Sequence, residues 1–175
     1  MRHRIVLPAV IALGSNLGDR EGNLRAAVRD IAALSGVTVT AVSGIVQSHA
    51  VKPTGTDDTA PDYLNAVMLV RSALHPEALL GELNRIEAEH GRVRVERWGD
   101  RTLDLDIIAF DGLERDTDDL TLPHPRAWER AFVIVPWLQV DPDAELRGHG
   151  RIDALAVATS REVWACDAPP LWSES

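Results

Sequence analysis

RTLDLDIIAF, residues 101–110, sets Leu103, Leu105 and Ile107 on one side of an extended chain and Asp104 and Asp106 on the other. The stretch reads as a strand packed on one face, and Asp111-Gly112 after it is a hairpin-type turn signal. A sheet with one solvated face would accommodate such alternation. Aspartate is nevertheless a poor strand residue, and two of them inside an apolar run call for a compensating charge. A hard divalent cation is an economical partner, because Mg²⁺ takes carboxylate oxygens and keeps waters and phosphates as its other ligands. Two carboxylates at neighbouring same-face positions could hold two such ions, as in phosphoryl-transfer sites.

Upstream of this strand, elements of two periods alternate. Residues 5–13 are apolar and β-branched enough for a buried strand rather than a signal peptide, and Gly14-Ser15-Asn16 with Gly18 forms a turn. Asp19 caps a helix whose apolar stripe is Leu24, Ala27, Val28, Ile31 and Leu34, ended by Gly36. Residues 37–46 read as a second strand, and the Pro-, Gly-, Thr- and Asp-rich residues 49–61 as a long loop. YLNAVMLV, residues 63–70, is a third strand with Tyr63, Asn65, Val67 and Leu69 on one face. A second helix runs from Pro76 through Leu79, Leu80, Leu83, Ile86 and Glu87 to His90, where Gly91 stops it. With residues 101–110 the order is β-α-β-β-α-β. That is the ferredoxin-like α+β plan, an antiparallel sheet with helices packed on one side, here followed by a C-terminal extension.

In that extension ERDTDD, residues 114–119, reads as a solvated loop rather than a metal site. LTLPHPRAWERAFVIVPWL leads into a short helical or mixed segment, IDALAVATS is a weak terminal helix, and the chain from about residue 168 is a loose tail. The whole, residues 1–175, is expected to form a single domain.

Composition limits the classes of function. Eighteen Lys and Arg against 27 Asp and Glu give a net charge of −9, which disfavours a chain that coats nucleic acid or anionic lipid. Cys166 is the single cysteine, so there is no internal disulfide, and the chain suits a reducing cytoplasm. No run approaches the roughly 18 apolar residues of a membrane span. Against this acidic background Arg92, Arg94, Arg97 and Arg101 fall within ten positions, just ahead of the aspartate strand. Guanidinium forks bind phosphate oxygens bidentately, so arginines and carboxylates together form a candidate nucleotide triphosphate site. Gly91 and Gly99 would let the segment close over substrate.

GSNLGDR, PDYLNAV, GRVRVERWGDRTLDLDII and LTLPHPRAWERAFVIVP together resemble the hydroxymethyldihydropterin pyrophosphokinase family, from about Ile5 to about Pro142. The resemblance implies a ferredoxin-like enzyme of tetrahydrofolate biosynthesis, acting as a monomer on small molecules. It would transfer pyrophosphate from ATP to the 6-hydroxymethyl group of a dihydropterin with two Mg²⁺ ions, releasing AMP. By the same resemblance Asp104 and Asp106 hold the metal, and Arg92 and Arg101 touch the phosphates and help the transfer. Arg94, Arg97, His124 and Arg130 contact the nucleotide, with Ile107, Leu120 and Thr121 near the adenosine. Tyr63 and Phe132 sandwich the pterin ring, Asn65 bonds its amide edge, and Asn16, Ser48 and Val51 complete that pocket. Three places depart from the family pattern: Asp100 stands where W-G-P-R has proline, Asn84 replaces a commoner glutamine, and SHAVK replaces a T-x-P pattern. Two other readings keep part of this chemistry. One is a different two-metal phosphoryl or nucleotidyl transferase; the other is a non-catalytic nucleotide- or RNA-binding module.

Overall fold

A computed structural model of the chain describes residues 4–52, 55–57, 59, 61–91 and 102–173, the side chains of 51, 52 and 57 excepted. Strand β1 (Leu7–Ser15) leads to helix α1 (Arg20–Ala32), followed by β2 (Val37–Val42), β3 (Val46–Ser48), β4 (Ala50–Lys52) and β5 (Gly55–Asp57). Next come β6 (Tyr63–Ser72), α2 (Pro76–Glu89), β7 (Asp104–Phe110), β8 (Arg115–Asp116) and β9 (Thr121–Leu122). The chain closes with α3 (Ala131–Val140), β10 (Glu145–Leu146), β11 (Gly150–Arg151), α4 (Ile152–Thr159) and β12 (Val163–Ala165). No helix among the described residues is long and apolar enough to cross a membrane.

The main sheet runs β7-β1-β6, with β2 and β3 both paired to β6 and β12 beyond β3, and every pairing is antiparallel. Beneath the extra strand this is the ferredoxin-like order expected from the β-α-β-β-α-β pattern. The stretch 37–46 is two strands rather than one: β2 pairs along residues 68–72 and β3 along 63–65, so the broken strand still follows a single neighbour.

Two apolar clusters lie on opposite faces of the sheet. One packs Leu24, Val28 and Ile31 of α1 and Leu79, Leu83 and Ile86 of α2 against Ile11, Leu13, Met68 and Leu105. The other packs Val133, Ile134 and Trp137 of α3 and Ile152 and Ala156 of α4 against Ala12, Val67 and Ile108. The two helices of the β-α-β-β-α-β plan share one face, as expected, and the C-terminal extension adds α3 and α4 over part of the second, where Val67 and Ile108 are apolar and need a partner.

Three further expectations change. Residues 49–61 include a small hairpin, β4 with β5, rather than loop alone. At Asp111-Gly112 the chain turns, with Gly112 at φ +69°, but it leaves β7 and forms a separate hairpin of β8 with β9. The tail is docked, not loose. Leu171 is buried in the α1–α2 cluster, and the Arg25 guanidinium donates to the carbonyls of Pro170 (2.7 Å) and Pro169 (2.6 Å).

Candidate active site

Beyond the apolar cluster under α3 and α4, the residues on the second face of the sheet turn from apolar to polar. Directly opposed residues of antiparallel strands point the same way. Tyr63 lies opposite Ser48, Asn65 opposite Gly14, and Gly14 in turn opposite Asp104; Ala12 lies between Val67 and Asp106. Tyr63 and Asn65 of β6 and Asp104 and Asp106 of β7 thus flank β1 on one face. Glycine at position 14 makes this possible, because a Cβ there would stand 3.0 Å from Asn65 Oδ1 and 3.6 Å from Tyr63 Cδ1. Both side chains lie over the glycine, beside the first aspartate. The Asn65 amide is buried and donates to Ser48 Oγ at 2.9 Å, which fixes its orientation.

The turn after β1 ties this face together. Ser15 Oγ donates to the Thr102 carbonyl at the entry to β7, and Asn23 Nδ2 donates to the same carbonyl at 3.2 Å. Buried Asn16 donates to the Pro61 carbonyl at 3.3 Å, and Arg20 to that of Asp62 at 2.8 Å, just ahead of Tyr63. Asp19 caps α1 by accepting from the Gly22 amide at 3.0 Å. GSNLGDR is therefore the bracket between the strand of Tyr63 and Asn65 and the strand of the aspartates.

The segment after β9 supplies cationic and donor groups. His124 donates its amide to the Ile108 carbonyl at 2.8 Å, which pins it beside β7. Its Nδ1 accepts from the Arg126 amide at 3.2 Å, so a neutral ring carries its proton on Nε2. Burial first, and then the Arg130 charge, push its pKa down to about 4 against the opposing pull of Asp104, so the ring is neutral near pH 7. Burial also lowers the Arg130 pKa, while Asp106 and Asp104 support its charge; the guanidinium stays protonated and sits 5.6 Å from the centre of the Phe132 ring.

A pocket of about 240 Å³ opens beside Asp106. It gathers Ile107, Leu120, Thr121 and His124, four residues singled out in sequence for the nucleotide, from two separate stretches. Leu80 of α2, Pro125, Asp118 and Asp119 also line it and were not among the residues singled out for the nucleotide. The two aspartates belong to the acidic run read as a solvated loop, and they are indeed exposed. They reach the pocket because Thr117 and Leu120 close the β8–β9 turn, the Leu120 amide donating to Thr117 Oγ1 at 3.1 Å. Arg92, Arg94, Arg97, Asp100 and Arg101, and the Val51 side chain, lie outside the described residues.

The donor set suits a hard cation. Among the described residues no group of three or more His, Cys, Asp or Glu side chains could enclose a metal. Asp104 and Asp106 instead form a partly buried two-carboxylate platform on one face of β7. That is the arrangement for Mg²⁺ arriving with phosphate oxygens and water, and not for a closed structural site.

Residues 10–142 match the model of the 7,8-dihydro-6-hydroxymethylpterin-pyrophosphokinase (HPPK) family. Among similar curated proteins, the Haemophilus influenzae 2-amino-4-hydroxy-6-hydroxymethyldihydropteridine pyrophosphokinase is 44% identical over 141 residues, which is 81% of this chain and 86% of that protein. The Bacillus subtilis pyrophosphokinase of the same name is also 44% identical, over 137 residues, 78% of this chain and 80% of that protein. Among solved structures, wild-type Plasmodium falciparum HPPK-DHPS with pterin and p-hydroxybenzoate superposes with a TM-score of 0.67 at 12% identity. It covers 92% of this chain, which spans 44% of that longer chain, and at this identity the likeness speaks for the fold.

Proposed function

The chain belongs to the 7,8-dihydro-6-hydroxymethylpterin-pyrophosphokinase family, and from that premise we propose how the polar part of its second sheet face works. The protein is a pyrophosphokinase of folate biosynthesis: it transfers the β,γ-pyrophosphoryl group of ATP to the hydroxymethyl group of 6-hydroxymethyl-7,8-dihydropterin, giving the pterin diphosphate and AMP. The observation that carries the site reading is the row Asn65–Gly14–Asp104 across β6, β1 and β7, which sets a recognition amide beside a carboxylate pair.

Asn65 reads the amide edge of the pterin, held in register by Ser48. Tyr63 and Phe132 supply aromatic faces for the ring, and Asn16 and Val51 border the pocket. Ile107, Leu120 and Thr121 receive the adenosine. Nε2–H of neutral His124 donates to a phosphate oxygen, while Arg130, Arg92, Arg94, Arg97 and Arg101 hold the triphosphate by charge. Asp104 and Asp106 hold two Mg²⁺ ions, which when bound neutralise charge on the transferring phosphates. The hydroxymethyl oxygen attacks the β-phosphorus in line as the bond to the α,β-bridging oxygen breaks. Positioning and electrostatics carry most of the rate, so the chain has little covalent chemistry to perform. The same reading makes residues 1–175 one catalytic domain, a monomer in the cytoplasm acting without nucleic acid or membrane. Its support is the acidic charge, the single cysteine and a core that joins Ala9 to Leu171.

The test of the metal reading is a Mg²⁺ titration of the wild type, Asp104→Ala and Asp106→Ala. The wild type requires Mg²⁺, and both variants keep their fold and lose turnover by at least about a hundredfold. Full activity in both would place the metal elsewhere.

A further inference from the structure

We propose that Glu87, packed against β7 from the face opposite the Asp104 and Asp106 side chains, is a positioning residue for that pair. Glu87 lies at the end of α2 and is 3% exposed, on the apolar stripe of Leu79, Leu83 and Ile86. A carboxylate on such a stripe costs desolvation that leucine would not, so its neighbours must offset the loss. Its Oε1 accepts from the amide of Leu105 at 2.8 Å, in a buried bond between helix and strand.

The place of that bond gives it consequence. β7 is the last strand of the sheet, paired to β1 on one side. Alternate amides of an edge strand point away from the neighbouring strand and need some other acceptor. Leu105 is the residue between Asp104 and Asp106, and its side chain is buried in the α1–α2 cluster. The backbone carrying both carboxylates is thus held to β1 by the sheet ladder and to α2 by Glu87. Holding a two-carboxylate platform to within a fraction of an ångström requires such support from behind, because small misplacement of charged groups weakens the transition-state interactions. Glu87 also lies four residues ahead of Gly91, where the arginine-rich segment begins. The carboxylate therefore couples the helix entering that segment to the strand leaving it.

The inference rests on the reading of Asp104 and Asp106 as metal-holding groups. It predicts a difference between two substitutions of nearly equal size. Glu87→Gln keeps a carbonyl oxygen for the Leu105 amide, whereas Glu87→Met fills the same volume and removes the acceptor. With Mn²⁺ and α,β-methylene-ATP as probes, electron paramagnetic resonance should show binding within about threefold of wild type in Glu87→Gln. In Glu87→Met it should be about tenfold weaker or more. Steady-state kinetics should show kcat falling with the Met substitution and recovering with Gln, while the pterin KM stays put, since Asn65 and Tyr63 stand on another strand. Wild type supplies a check that needs no variant: the Leu105 amide should fall in the slowest class for hydrogen exchange, although it lies on an edge strand.

Equal losses in the Gln and Met variants would overturn the proposal, as would wild-type behaviour in a folded Met variant or a fast-exchanging Leu105 amide. Absence of any Mn²⁺ binding by the wild type would instead overturn the metal reading itself.

Discussion

Gly14 and Asn65 face each other across β1 and β6, so close that a Cβ at position 14 would stand 3.0 Å from Asn65 Oδ1. That contact is tighter than carbon and oxygen comfortably allow, and Asn65 has little room to yield because its amide is held by Ser48. Gly14→Ala is therefore expected to tilt the asparagine and Tyr63 above it. The pterin Kd should rise about tenfold or more, with the ATP Kd changed less than about threefold, in isothermal titration of each substrate. A variant with normal pterin affinity would show that Asn65 is not part of the recognition edge.

The neutral state of His124 has a pH signature. Its folded pKa of about 4 lies below the ordinary 6.5, so the unfolded chain takes up the proton first. This contribution to stability is intact above pH 6.5, falls as pH drops from 6.5 toward 4, and is constant below that. Each unit of separation is worth about 1.4 kcal/mol, and after allowance for partial exposure the loss is about 2 kcal/mol relative to His124→Gln. Ring carbon resonances followed by NMR should titrate near pH 4; a midpoint at the ordinary value would contradict the partly buried placement beside the Arg130 charge.

Docking of the last residues has an energetic consequence. Leu171 fills part of the α1–α2 cluster, and truncating a buried leucine to alanine costs about 2–3 kcal/mol. Urea unfolding of Leu171→Ala should show a lowered midpoint with an unchanged slope, and ending the chain at residue 167 should cost at least as much. Equal midpoints in wild type and variant would mean that the tail does not pack.

How much of this was legible in sequence depends on whether a residue announces its neighbours. Alternation in TLDLDII gave away the strand and the common side of Asp104 and Asp106, and the three-and-four spacing of Leu24, Ala27, Val28 and Ile31 gave away α1. The second layer of helices was harder to see, although Ala66, Val67 and Met68 in β6 are all buried, a sign that both faces are covered. Leu171 was missed because one leucine behind two prolines has no period, and Arg25, which holds the carbonyls of Pro169 and Pro170, is distant in the chain. Asp118 and Asp119 resembled solvated acids because only the β8–β9 turn brings them to the pocket. Glu87 did leave a signal, an acid on an apolar stripe, but periodicity alone could not name the amide it serves.

The central claim is pyrophosphoryl transfer, and the fate of the β-phosphate tests it most directly. Incubation with ATP labelled at the β-phosphorus, Mg²⁺ and 6-hydroxymethyl-7,8-dihydropterin should place all transferred label in the pterin diphosphate, with one unlabelled AMP formed per product. Label appearing in ADP, with a pterin monophosphate as product, would contradict it.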